Sequence, residues 1–200
     1  YKAESFNQPL DSWNVSKVRE MYNMFYKAES FNQPLDSWNV SNVTDMRYMF
    51  ALAAKFDKPL NNWNVSNVIN MEAMFNDSNF NQPLNKWNVS NVRNFNSMFD
   101  FRNVNPKLRS VRVEPLYNKY NNDLSTWNIS KDATTESMFY EDFPLKYLPK
   151  NILIRKKVSE WFENREKAEK KYGKIGDWDV SYVSDMNKLF KNKKFGELFD

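Results

Sequence analysis

Tryptophan recurs at a fixed interval in this chain. Trp13, Trp38 and Trp63 stand 25 residues apart, Trp87 follows after 24, and Trp127 after 40, which is one period plus 15. Around the first two the copies are identical: Tyr1 to Ser16 returns letter for letter as Tyr26 to Ser41, and looser copies run from Phe56 to Ser66 and from Phe80 to Ser90. A unit of this length cannot enclose a core of its own, because ordering its backbone costs more than its few apolar side chains return. Letters that recur at such a period mark units that bury their apolar faces on one another.

Comparing the copies separates the positions that persist from those that drift. The most persistent is Leu-x-x-Trp-x-Val/Ile, present as Leu10, Trp13, Val15; Leu35, Trp38, Val40; Leu60, Trp63, Val65; Leu84, Trp87, Val89; and Leu124, Trp127, Ile129. Alternation of Trp and Val about an Asn predicts a short strand with one buried face. Ser16, Ser41, Ser66, Ser90 and Ser130 then stand where a helix N-cap is wanted. Behind them Val18, Met21, Met24 and Phe25, with their copies Val43, Met46, Met49, Phe50 and Val68, Met71, Met74, Phe75, carry spacings of three, three and one, the stripe of a short amphipathic helix. Phe-Asn-Gln-Pro before the next Leu bars helix continuation and presets an extended approach. The expected fold is therefore α/β, a solenoid of short parallel strands and short helices with strands about 4.8 Å apart.

Composition narrows the chemistry. The 200 residues contain no histidine and no cysteine. That removes the usual general base near neutral pH, the common nucleophile pairs, disulfides and the preferred zinc ligands. No apolar run approaches the roughly 18 residues of a membrane span, and no membrane insertion is expected within these 200 residues. No catalytic residue, metal site or cofactor site is expected, and the chain reads as a non-enzyme. An enzyme built on paired carboxylates, acting on glycans, is the alternative from another class; it needs two acids about 5 to 10 Å apart in a cleft.

The repeat letters carry a resemblance. "FNQPLDSWNVSNVTDM" followed by a Met-Phe pair closely resembles the roughly 25-residue repeat of BspA-like leucine-rich-repeat surface proteins and mycoplasma-type lipoproteins, and similar arrays occur in large DNA viruses. Leu-x-x-Trp-x-Val looks like the Leu-x-x-Leu-x-Leu strand of leucine-rich repeats, although Val18 stands where those repeats carry their ladder Asn. The match covers about residues 1–99 and 123–139. The stretch containing Trp161, Ala168, Tyr172, Gly173, Trp178, Val180, Ser181, Val183, Met186 and Phe190 is similar to the leader that opens such arrays. The resemblance implies a surface-displayed or virion-associated, non-enzymatic interaction or adhesion scaffold; a purely structural cement or spacer is the alternative. Its implied location is the cell surface or a virion, with the cytoplasm as alternative.

The expected organisation follows. Residues 1–148 form the repeat unit, with four close repeats, an insertion at about 100–122 and a fifth repeat at about 123–139. Residues 149–200 form a helical leader or cap and the first repeat of a second array. Ile152 to Tyr172 should be helical, with Asn164 capping a second helix and Gly173 ending it. The chain begins and stops inside repeats, which reads as a segment of a longer array.

Three sets of residues are candidates for a site. Asn14, Asn39, Asn64, Asn88 and Asn128, between Trp and Val/Ile, are expected to face away from the core and to form an amide ladder. Their Asn-x-Ser sequons follow from the repeat rather than from glycosylation, since glycans cannot stack at strand spacing. The variable positions Asp11, Ser12, Asp36, Ser37, Asn61, Asn62, Asn85, Lys86, Ser125 and Thr126 form a possible binding face for a protein or glycan partner. Arg155, Lys156, Lys157, Lys167, Lys170, Lys171 and Lys174 make a basic cluster, but the glutamates among them predict intrahelix pairs rather than a nucleic-acid surface.

Overall fold

A computed structural model describes residues 3–100, 120–140 and 143–181, with 183, 186 and 189–191. Its repeats do stack, but not as an α/β solenoid. Among the described residues there are two α-helices, α1 (Lys150–Glu163) and α2 (Arg165–Tyr172), and two short 3₁₀ turns, Leu145–Tyr147 and Ile175–Asp177. Both helices lie outside the repeats. No strand and no sheet forms there; instead, single-residue parallel bridges join Glu20 to Asp45, Asp45 to Asn70, Asn70 to Asn94, and Asn94 to Thr134. The expected strand at Trp-x-Val and the expected helix at Val18–Phe25 are both corrected by these observations.

The backbone hydrogen bonds explain the correction. After Ser16 the chain makes successive turns, with Val18 N donating to Val15 O (2.9 Å), Met24 N to Met21 O (3.2 Å), Tyr26 N to Asn23 O (3.2 Å) and Ala28 N to Phe25 O (3.0 Å). Each such turn bonds residues three apart, so pairs such as Val15–Val18 and Met21–Met24 carry the three-residue spacings that read as a helix. The amides in between leave the rung altogether: Met21, Asn23, Phe25 and Lys27 donate to the carbonyls of Asp45, Arg47, Met49 and Ala51 at 2.9–3.1 Å. The same alternation recurs one copy on, where Tyr48, Phe50 and Leu52 donate to Glu72, Met74 and Asn76.

Sending every second amide sideways requires a backbone no helix can supply. Asn23, Tyr48, Ala73, Ser97 and Ser137, at one equivalent position of each copy, have φ of 50–57°, and Lys27, Leu52 and Asp77 form a second such column at 50–61°. The left-handed region costs a non-glycine residue about 1–2 kcal/mol. In the first four copies each left-handed residue of the first column donates its own N–H across to the next rung. The cross-rung bond offsets the strain.

The interior is a double file of phenyl rings. Phe25, Phe50, Phe75, Phe99 and Phe139 stack at 5.4–5.8 Å between centroids and within 13° of parallel. Beside them run Phe6, Phe31, Phe56, Phe80, Tyr120 and Phe143 at 5.8–6.4 Å. Rings of the two files meet at 4.0–4.3 Å. The expected core residues line the same interior: every Leu and Val/Ile of the repeat trio is buried, as are Trp38, Trp63, Trp87 and Trp127 at 3% exposure. Each of these four indoles donates Nε1–H to the Leu carbonyl of the preceding copy, Leu10, Leu35, Leu60 and Leu84, at 2.8–2.9 Å. Trp13 has no copy before it in this sequence and is 55% exposed.

The phase survives the long interval before the fifth copy. Thr134 pairs with Asn94, Trp127 reaches Leu84, and Tyr120 takes the phenyl position between Phe80 and Phe143. Of the insertion expected at about 100–122, residues 101–119 lie outside the described residues. Beyond the stack, Leu145, Tyr147, Ile152 and Leu153 pack on its core, while Ile154, Val158, Trp161, Ala168, Trp178 and Leu189 form a second apolar cluster. Asn164 ends α1 and caps α2, its side chain accepting from Lys167 N at 2.9 Å, and Gly173 closes α2 at φ 77°.

Candidate functional site

Asn14, Asn39, Asn64 and Asn88 do not form the amide ladder expected of them. Each turns its Oδ1 back onto the N–H of the Ser two residues later, at 3.1–3.2 Å, closing a local Asx turn. No hydrogen bond among the described residues joins one of these Asn side chains, or that of Asn128, to the next. With no strand at Trp-x-Val, there is no pleated face on which their amides could line up.

The ladder runs through the Phe-Asn-Gln-Pro segment instead. Asn7 Oδ1 accepts from Asn32 N, Asn32 from Asp57 N, Asp57 from Asn81 N, and Asn81 from Asn121 N, all at 2.9–3.1 Å. A second amide row crosses the other way: Asn42, Asn67 and Asn91 donate Nδ2–H to the carbonyls of Ser16, Ser41 and Ser66 at 2.7–2.8 Å. The recurrence of Asn at both positions was visible in the sequence. What it did was not, since a side-chain to backbone bond leaves no mark on hydrophobic periodicity.

The expected binding face, Asp11, Ser12, Asp36, Ser37, Asn61, Asn62, Asn85, Lys86, Ser125 and Thr126, lies on the turn that follows each Leu. Its members bond from copy to copy: Ser37 Oγ donates to Asp11 O (3.1 Å), Asn61 Nδ2 to Asn85 Oδ1 (2.9 Å), Lys86 N to Asn61 Oδ1 (3.0 Å) and Thr126 Oγ1 to Asn85 O (3.0 Å). It is a row of exposed and half-exposed turns on a rigid support.

The better-formed concavity lies elsewhere, between two columns that sequence reasoning passed over. Arg19, Thr44, Ile69 and Arg93 occupy one equivalent position of four successive copies, and Asn42, Asn67 and Asn91 line beside them an open groove of about 520 Å³. The first column is fixed by backbone bonds from Thr44 N to Arg19 O, Ile69 N to Thr44 O and Arg93 N to Ile69 O, each 2.8 Å. Ile69 is half-exposed in its middle, at 51%. One buried Val separates the members of each pair, so both columns show themselves only once the copies are overlaid and that Val is recognised.

A second hollow of about 590 Å³, lined by Trp13, Val18, Met21 and Met24 among others, belongs to the first copy. The counterparts of these residues in the second copy, Trp38, Val43, Met46 and Met49, are all buried.

The titratable groups with displaced values lie apart from the groove. Burial, and the nearby Asp100 charge second, push the Asp77 carboxyl up to about 6. Both aspartates are 2% exposed, and Asp77 Oδ1 has no hydrogen-bond partner. In the helical pair, burial alone would raise Glu160, but hydrogen bonds from Lys171, Tyr172 and Lys156 outweigh it and hold its carboxyl below the usual range. Lys156 and Lys171 reach Glu160 at 3.3 and 2.9 Å, Arg165 reaches Glu169 at 2.9 Å, and Lys157 lies over the Tyr172 and Trp178 rings. Within the basic cluster, then, Lys156 pairs inside α1, Lys171 pairs across from α2 to α1, and Lys157 lies over two rings. Among the described residues no three acids cluster as metal ligands would, and no helix is long and apolar enough to cross a membrane.

A stack of turn-built repeats of about 25 residues, packed on a double file of aromatic rings, defines the class of this protein. The family described as "Mycoplasma protein of unknown function, DUF285" matches residues 1–111, 66–147 and 156–198, and the chain belongs to that family. No curated protein and no solved structure matches the chain.

Proposed function

We propose that this protein is a non-enzymatic interaction scaffold that holds a partner along the groove formed by Arg19, Thr44, Ile69 and Arg93. One observation carries the reading: a polar and apolar lining drawn from four copies is fixed by cross-rung backbone bonds, so the surface is ordered before a partner arrives. A preorganised surface spends little of its binding energy on ordering itself. The resemblance to BspA-like surface proteins and mycoplasma lipoproteins supports display on a cell surface or virion for the same purpose.

The carboxylate-enzyme alternative loses ground because the electrostatically coupled Asp77 and Asp100 are buried rather than set across a cleft. A spacer role differs in needing no particular groove. Binding of the labelled protein to arrays of peptides and oligosaccharides separates the two, with Thr44→Trp as the groove-filling variant. The expected result is saturable binding to at least one ligand class that Thr44→Trp removes while the melting temperature stays within a few degrees. Indifference of all binding to Thr44→Trp would overturn the reading, and so would a complete absence of binding.

A further inference from the structure

Charge along the groove is one-sided. Its two columns are Lys17, Asn42, Asn67, Asn91, Lys131 and Arg19, Thr44, Ile69, Arg93, Ala133; four of these ten positions are basic, none is acidic, and the basic ones stand towards the two ends. Neither Arg19 nor Arg93 is in an ion pair among the described residues; the Arg93 guanidinium donates to the carbonyls of Ser90 and Val92, at 3.0 and 3.3 Å. The positions adjoining the columns carry the acids Glu20, Asp45 and Asp132, and Asp45 is already paired with Arg47 at 3.0 Å. Between the cations the chemistry changes sign. Asn42, Asn67 and Asn91 commit an N–H to the neighbouring copy, and each Oδ1, without a partner among the described residues, remains to accept. Ile69, two rungs from Arg19 and one from Arg93, adds an exposed apolar patch between them.

A matching partner carries anions at two ends, donors between them and an apolar group at the centre. From Arg19 to Arg93 is three rungs, about 14 Å at roughly 4.8 Å per rung. An extended peptide rises about 3.3 Å per residue, so side chains at i and i+4 share a face about 13 Å apart, with i+2 midway between them. Resting on the scaffold reading above, we infer that the groove takes an extended acidic peptide segment of the pattern acid-x-apolar-x-acid. Its carboxylates pair with Arg19 and Arg93, its central side chain lies between Thr44 and Ile69 against the exposed Ile69 side chain, and its backbone N–H groups donate to the Asn oxygens. Arginine suits this role, because its planar fork meets a carboxylate with two parallel bonds.

Fluorescence anisotropy with a labelled nonapeptide centred on Glu-Thr-Leu-Thr-Glu tests this directly. The expected result is saturable binding that weakens as salt is raised and falls about fivefold or more in Arg19→Gln and in Arg93→Gln, roughly 1 kcal/mol per lost contact. A permuted peptide with adjacent acids and a Lys-Thr-Leu-Thr-Lys peptide should both bind at least about fivefold more weakly, which tests spacing and charge without altering the protein. Equal binding of the permuted peptide, or wild-type affinity in both Arg variants, would overturn the inference. Arg-dependent binding of a uronic-acid oligosaccharide in place of the peptide would also overturn it, while leaving the groove an interaction site. Absence of both, together with Thr44→Trp indifference on the arrays, would remove the scaffold reading as well.

Discussion

The repeat stack and the helical pair of residues 150–172 solve one problem in opposite ways. In α1 and α2 backbone amides are satisfied within a few residues, and Asn164 and Gly173 supply the caps. In the stack every second amide, each buried indole and the Asn7 ladder find their partners one whole copy away. Helices are local objects that packing stabilises. A rung is not an object until its neighbour exists, so its stability is shared across interfaces between copies. The same residue type should therefore carry very different weight according to whether another copy covers it.

Trp63 and Trp13 give the largest contrast. Trp63→Ala removes a buried ring and the bond to Leu35, and urea unfolding should show a loss of about 3–5 kcal/mol. Trp13→Ala, at an exposed ring, should cost less than about 1 kcal/mol. Comparable losses at the two sites would deny that covering by a preceding copy is what matters.

Asp77 comes next in size. Its folded-state carboxyl titrates at about 6, above its unfolded value, so the folded state holds a proton that the unfolded chain has already lost. Stability is then greatest in acid and declines as pH rises from 4 to 7, by up to about 3 kcal/mol. Asp77→Asn should flatten that decline in unfolding free energy measured across the range. Glu160 has the opposite sign: its lowered value contributes stability at neutral pH that fades as pH falls through the acid range. A stack whose stability rises steadily from pH 4 to 7, with or without Asp77, would contradict the assignment.

Smaller effects separate the two regions further. Asn164→Ala removes the α2 cap and should cost about 1 kcal/mol, read as faster amide exchange in α2 with the stack amides unchanged. Ser137→Gly places glycine at a φ of 52° and should raise stability by about 0.5–1 kcal/mol, visible as a small rise in melting temperature.

Much of the stack was legible as sequence. The period, the buried Leu, Trp and Val positions, the phase carried across the long interval to Trp127, and the break at Asn164 all followed from which letters recur. Secondary structure did not. Met21, Met24 and Phe25 fit a helix and a run of turns equally well, and nothing in Tyr48, Leu52 or Ala73 announces a left-handed residue, since their own preferences oppose it. The cross-rung bond that holds them there is a tertiary effect. The groove escaped for a related reason: Arg19, Thr44, Ile69 and Arg93 share no chemistry, and only their stacking makes them one surface.

Scalar couplings measured across hydrogen bonds by NMR test the central claim, that alternate amides of a rung bond to the next copy. The account predicts a coupling from Phe50 N to the carbonyl carbon of Met74, and likewise from Phe25 N to Met49 and from Phe75 N to Met98. Couplings from Phe50 N to Met46 and from Phe75 N to Met71, the bonds of an α-helix, would contradict it.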